Sequence, residues 1–129
     1  MNKRFKQLLK ELKKLNLPIN EYAIYGSGPM AIRKLRDVSD LDVVVTEKLY
    51  KELIKRYKEI EPGYIKIRDI EIFATFNSLI ENPDEVIERA EIFHGFKFIR
   101  LDDLIRWKEK FGREKDLKES ATSNTKYME

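Results

Sequence analysis

The 129-residue chain contains no cysteine. Disulfides, thiolate nucleophiles and Cys-ligated zinc are therefore outside its chemistry. Histidine occurs once, as His94, at a predicted turn. One imidazole excludes a His-rich metal site and speaks against a Ser-His triad. Long apolar runs are missing as well. The longest aliphatic stretch is Val43-Val44-Val45, whereas a membrane span takes about 20 apolar residues. Charged residues keep interrupting the N-terminal segment, so no signal peptide is expected. The net charge is only +3, too small by itself to name a nucleic-acid partner. These absences lead to the expectation of a cytoplasmic protein without membrane association. What remains is 42% hydrophobic and 38% charged residues, a composition that folds rather than stays disordered. The length suits one domain, with about two-thirds of its unfolded surface buried on folding.

Residues 3–16 place Phe5, Leu8, Leu9, Leu12 and Leu15 on one stripe, which predicts a helix ending before Pro18. Ala23-Ile24-Tyr25 predicts a short strand, broken by Gly26-Ser27-Gly28-Pro29. Pro29 suits the first turn of a helix over about 29–36. Leu41 to Val45 is apolar and β-branched, the composition of a central strand. A helix is expected over 47–58, with Leu49, Tyr50, Leu53, Ile54 and Tyr57 as its buried face. After the Pro62-Gly63 turn, Tyr64 to Phe76 predicts one long strand or two short ones. Asn82 is expected to cap a helix running to about Ala90, with Pro83 at its first position and Glu85 completing a capping box. His94-Gly95 predicts a two-residue hairpin turn. Asp102 is expected to cap a helix that ends with Gly112 at C′, followed by a short helix over 113–119. The predicted class is α/β (α+β), a small mixed sheet with helices mainly on one face. One domain over 1–119 and a disordered polar tail over 120–129 complete the expectation.

The chemistry concentrates between Tyr25 and Val45. Asp40 and Asp42 stand two apart at the head of an aliphatic strand, so they project from one face. Strands disfavour Asp, and two carboxylates one pleat apart can hold a divalent cation through oxygen ligands. The Gly26-Ser27-Gly28 turn precedes a helix, where backbone N–H groups and the Ser27 hydroxyl can meet a phosphate. A phosphate cradle beside a two-carboxylate cation site is the apparatus of phosphoryl or nucleotidyl transfer.

This segment resembles the nucleotidyltransferase superfamily typified by DNA polymerase β, especially its minimal prokaryotic members. Their pattern is hydrophobic-Gly-Ser, a short spacer, then Asp-hydrophobic-Asp-hydrophobic. Here it reads Tyr25-Gly26-Ser27, twelve residues, then Asp40-Leu41-Asp42-Val43. The spacer is towards the long end. The resemblance implies a third carboxylate on a neighbouring strand. Glu71, between Ile70 and Ile72, fits that place, and Asp69 is its competitor. A second stretch, Lys108 followed by Gly112-Arg113-Glu114-Lys115-Asp116, resembles the Lys…Gly-Arg-x-Lys-Asp signature of minimal groups, including some related to toxin–antitoxin systems. By that resemblance Lys108, Arg113 and Lys115 would approach the nucleotide phosphates and Asp116 would help orient them.

The implied activity is nucleotidyl transfer from an NTP such as ATP to the hydroxyl of an unknown acceptor: a protein, an RNA or a small molecule. Asp40, Asp42 and Glu71 would bind Mg²⁺ (or Mn²⁺), and Gly26 and Ser27 would hold the β- and γ-phosphates. With no evident appended substrate domain, a partner protein or a homodimer is expected to complete the cleft. The alternative is a non-catalytic, antitoxin-like nucleotide-binding module of the same fold. Arg33, Lys34 and Arg36 come after the cradle, as a solvated face or as guides for the nucleotide or a nucleic-acid acceptor. Trp107 is expected in the core, where an exposed aromatic could instead stack on a base.

Overall fold

The computed structural model describes residues 3–34 and 38–122, with side chains described up to residue 112. Its elements are α1 (Lys3–Lys14), β1 (Tyr22–Tyr25), α2 (Gly28–Ile32), β2 (Leu41–Val45), α3 (Glu47–Leu53), β3 (Glu59–Glu61), β4 (Tyr64–Ile67), β5 (Ile70–Ala74), α4 (Pro83–Glu88), β6 (Glu91–Phe93), β7 (Phe96–Phe98) and α5 (Leu101–Thr122). The fold is mixed α+β. Seven strands form one sheet in the order β3-β4-β5-β2-β1-β7-β6. The pairs β2–β5 and β1–β7 are parallel, and the remaining pairs are antiparallel.

The aliphatic run of β2 lies at the centre of the sheet, as its composition requires, and every residue of β2 except Asp42 is buried. Strand alternation divides the core in two. On one face Leu41, Val43 and Val45 pack with Ile70 and Ile72 of β5, and α1 and α3 cover them through Phe5, Leu8, Leu12, Leu49 and Leu53. Each fully buried Leu or Phe there contributes about 1.5–3 kcal/mol. On the other face Ala23, Tyr25 and Val44 pack with Val86 and Ile87 of α4 and Leu104 of α5. The helices thus cover both faces and do not gather on one. A helix set that must bury two apolar sheet faces has no other arrangement open to it.

Several local expectations are corrected. The helix after the Gly-Ser turn ends at Ile32 and does not reach 36. Lys34 adopts a left-handed φ of 61° and its N–H bonds to Ala31 O, which stops the helix. Leu35, Arg36 and Asp37 lie outside the described residues. The helix expected over 47–58 ends at Leu53, although hydrogen-bonded turns continue to Tyr57. Glu59–Glu61 forms a strand with no counterpart in the sequence pattern, because all three residues are exposed and show no apolar alternation. The stretch after Pro62-Gly63 is two strands, with Arg68 in a left-handed turn between them.

Asn82 stands at the N-cap of α4 in a left-handed conformation, and its side chain makes no capping bond. The backbone alone supplies the cap, Val86 N–H donating to Asn82 O. Asp102 does not cap α5 either. The helix starts one residue earlier, and Leu104 N–H donates to Arg100 O. Asp102 and Asp103 lie inside the first turn, where carboxylates suit the helix dipole. Gly112 does not end that helix, and 113–119 is no separate element. α5 runs on to Thr122, so the first residues of the expected tail are helical, and 123–129 lie outside the described residues. The Lys, Glu, Arg and Leu around Gly112 are strong helix formers that outweigh the cost of one glycine, about 1 kcal/mol. A Cβ at Gly112 would meet nothing within 4 Å. Gly112→Ala is expected to stabilise the protein by about 0.5–1 kcal/mol in chemical denaturation.

The hairpin at His94-Gly95 forms as expected, with φ of 53° and 83°. An ion cluster around one buried carboxylate ties the end of α4 to α5. The Asp103 carboxylate, 2% exposed, accepts Arg89 Nε at 2.9 Å and Nη2 at 2.5 Å, and Arg106 Nη2 at 2.6 Å. The Arg89 bonds lead in holding its carboxyl below the usual range. A depressed carboxyl stabilises the fold above its unfolded pKa of about 3.9, and that stability disappears as pH falls through the folded value. Asp103→Ala is expected to cost about 2 kcal/mol near neutral pH, because both arginines can return to water, and to flatten the acid limb of a melting-temperature profile.

Candidate functional site

The sheet register builds the site. Across four adjacent strands Tyr25 pairs with Asp42, Asp42 with Glu71, and Glu71 with Lys66. Cross-strand partners share a face, so the row lies on the side covered by α4 and α5. Asp40, two residues before Asp42, joins it from the β2 entry. Asp40, Asp42 and Glu71 each offer a carboxylate oxygen, and these oxygens lie within 4.8 Å of one another. Asp42 and Glu71 are half-buried.

The electrostatics arise from that crowding. Burial, then the hydrogen bond and charge of Glu71, then the charge of Asp40, push the Asp42 carboxyl up to about 7. Asp40 is also raised, first by burial and then by Glu71. Burial and the adjacent carboxylates hold the Tyr25 phenol well above its ordinary value. Tyr64 donates its hydroxyl to Glu71 Oε2 at 3.0 Å and is pushed up to about 12, by burial and then by that bond. Lys66 Nζ lies 3.8 Å from the same Glu71 oxygen. Three oxygen donors at this spacing, with their mutual repulsion incompletely offset, fit a hard divalent cation such as Mg²⁺ or Mn²⁺.

Asp69, the competitor for the third position, is engaged elsewhere. It forms a salt bridge with Arg4 of α1. Arg4 also donates to Ser39 O through Nη2 at 3.0 Å and Nε at 3.3 Å. One guanidinium thereby ties the loop entering β2 to the loop entering β5. Arg4 carries no signal in the sequence, since it reaches Asp69 through long-range pairing, while Tyr64 and Lys66 come from the neighbouring strand of the β4–β5 hairpin.

Gly26 has φ 66°, and a Cβ there would lie 2.4 Å from Asp42 Oδ2. The glycine is required by the carboxylate as well as by the turn. Ser27 is half-buried at the start of α2, and its side chain makes no capping bond. Lys108 is half-buried on α5 and reaches Met30 of α2 at 3.7 Å from Sδ. The side chains of Arg113, Lys115 and Asp116 lie outside the described residues. Arg33 pairs with Glu91 at 2.8 Å and sits 4.8 Å over the Phe93 ring.

A cavity of about 390 Å³ opens beside the carboxylates. Asp42 and Glu71 line it together with Tyr25, Phe73, Trp107 and Phe111. Trp107 meets Tyr25 edge-on at 5.1 Å and stacks on Phe111 at 5.2 Å. Among the described residues no helix is long and apolar enough to cross a membrane. Comparison with protein-family models, curated proteins and solved structures finds no match to this chain.

Proposed function

We propose that the chain is a nucleotidyltransferase of the polymerase-β-like kind. It moves an NMP from an NTP to an acceptor hydroxyl. The acceptor oxygen bonds to the α-phosphorus, the bond to the bridging oxygen of the β-phosphate breaks, and pyrophosphate leaves with the electron pair. The observation that carries this reading is the convergence of Asp40, Asp42 and Glu71 within 4.8 Å, beside the Gly26-Ser27 turn. Bound there, Mg²⁺ or Mn²⁺ supplies charge neutralisation for the triphosphate and acidifies the acceptor hydroxyl.

The protein's own groups do the rest. Asp40 would bind from the loop entering β2, Asp42 from within β2 and Glu71 from the adjacent strand. Tyr64 and Lys66 orient Glu71 through the shared Oε2. Glu71 would also receive the acceptor proton. The Gly26-Ser27 turn faces the phosphates, and Lys108 adds positive charge at α2.

The test supplies α-labelled ATP, GTP, CTP and UTP with Mg²⁺ and fractionated cell extract as acceptor. The expected result is label transfer with pyrophosphate release, reduced about a hundredfold or more in Asp40→Asn and Glu71→Gln proteins that remain folded. Wild-type rates in a folded Glu71→Gln variant would contradict the assignment. Nucleotide binding with no pyrophosphate release from any fraction would select the non-catalytic module.

A further inference from the structure

We propose that the aromatic-walled cavity takes the nucleobase, by stacking, with little discrimination among the bases. This rests on the nucleotidyl-transfer reading and adds to it a base-tolerant specificity. The cavity volume, about 390 Å³, falls within the roughly 300–1,000 Å³ of small-molecule sites. Its lining combines carboxylates with aromatic rings, so a fitting occupant presents a charged, cation-binding part and a flat apolar part. A nucleotide does both, whereas a purely aliphatic occupant would leave Asp42 and Glu71 desolvated without a partner.

The aromatic wall is a prepared shelf. Trp107 and Phe111 are nearly parallel, 20° apart, and form a continuous surface one helical turn long. Tyr25 stands at 89° to Trp107 and fixes it from the side. The indole N–H donates to Ser78 O at 2.9 Å, which sets the ring's orientation. Phe111 is 43% exposed. A large aromatic left open at the rim of a cavity, stacked on a fixed indole, is available to a second planar ring.

Tolerance comes from where the hydrogen bonds go. Beside the aromatic rings, the indole and the Ser78 hydroxyl spend their donors inside the protein, as does Asn77 with one of its two amide N–H groups. The indole N–H is committed to Ser78 O. Ser78 Oγ donates to Thr75 O and accepts from Ile80 N. Asn77 Nδ2 donates to Pro62 O. Strong base selection needs site groups held ready to bond a base edge. Stacking on a π-face is available to every base.

Trp107 is the only tryptophan in the chain, so indole emission, excited selectively over tyrosine, reports on this wall alone. The experiment titrates the full-length protein with ATP, GTP, CTP and UTP in Mg²⁺, and tracks thermal shift with Mg²⁺–tripolyphosphate in parallel. The expected result is saturable quenching by all four, with dissociation constants within about tenfold of one another. Phe111→Ala should weaken each nucleotide about tenfold, the loss of one stacking partner, and leave tripolyphosphate binding unchanged. Nucleotide binding without any fluorescence change overturns the inference, as does one base preferred by more than about a hundredfold or unchanged nucleotide affinity in Phe111→Ala. Tripolyphosphate binding without nucleotide quenching overturns the base pocket and leaves the transferase reading standing. Loss of both responses overturns both.

Discussion

Replacing Asp42 with Asn is expected to raise the melting temperature of the metal-free protein while removing its response to Mn²⁺. The two effects share one cause. Asp42 is held half-buried beside Glu71 and Asp40, and its carboxyl is pushed up to about 7. A shift of that size corresponds to about 4 kcal/mol at full strength. Partial exposure and solvent screening reduce the recoverable share to about 1–3 kcal/mol. For a domain of this length that is a rise of roughly 3–12 °C. The pH dependence has a fixed sign. An acid whose folded pKa is raised destabilises the fold above its unfolded pKa of about 3.9, increasingly up to about pH 7, and by a constant amount beyond. The gap between Asp42→Asn and the unaltered protein should therefore open between about pH 4 and 7. Scanning calorimetry across that range, without metal and then with Mn²⁺, measures it. A variant less stable than the unaltered protein at neutral pH would mean that Asp42 is a structural residue.

Gly26→Ala should damage the site more than the fold. A Cβ at Gly26 would press within 2.4 Å of Asp42 Oδ2, and the backbone there is left-handed. The backbone term costs about 1–2 kcal/mol. The clash adds little to stability, because the obstructed atom is the end of a side chain that can swing away. Swinging away removes it from Glu71 and Asp40, so Mn²⁺ affinity should fall about tenfold or more, as for a lost ligand. Gly95→Ala is the matched control. It has φ 83°, and its Cβ would meet nothing within 4 Å. It should show the same backbone cost with unchanged Mn²⁺ binding. Equal Mn²⁺ affinity in both variants would separate Gly26 from the carboxylates.

The parts of this architecture written in local sequence are those governed by short-range physics. The aliphatic run from Leu41 forms the central strand, and the leucine stripe of α1 faces the sheet. His94-Gly95 turns a hairpin because both residues tolerate positive φ. Asp40 and Asp42 stand out because strands seldom carry acids. Glu71 and Asp69 are inseparable by sequence, since they share a strand parity. The separation comes from the parallel register, which places Glu71 beside Asp42, and from Arg4, sixty-five positions from Asp69. The aromatic cavity is hidden for the same reason, because Tyr25, Phe73 and Trp107 meet only when β1, β5 and α5 are assembled. Gly112 misleads because a glycine ahead of polar residues reads as a helix end, whereas flanking propensity carries the helix through it.

The central claim is that Asp40, Asp42 and Glu71 form one divalent-cation site from which Asp69 is excluded. Calorimetric titration of Mn²⁺ into the unaltered protein and into Asp40→Asn, Asp42→Asn, Glu71→Gln and Asp69→Asn tests it most directly. A single saturable site is expected, weakened about tenfold or more by each of the first three substitutions and by less than about threefold in Asp69→Asn. Absence of a saturable site, or an Asp69→Asn loss as large as that of Glu71→Gln, would contradict the account.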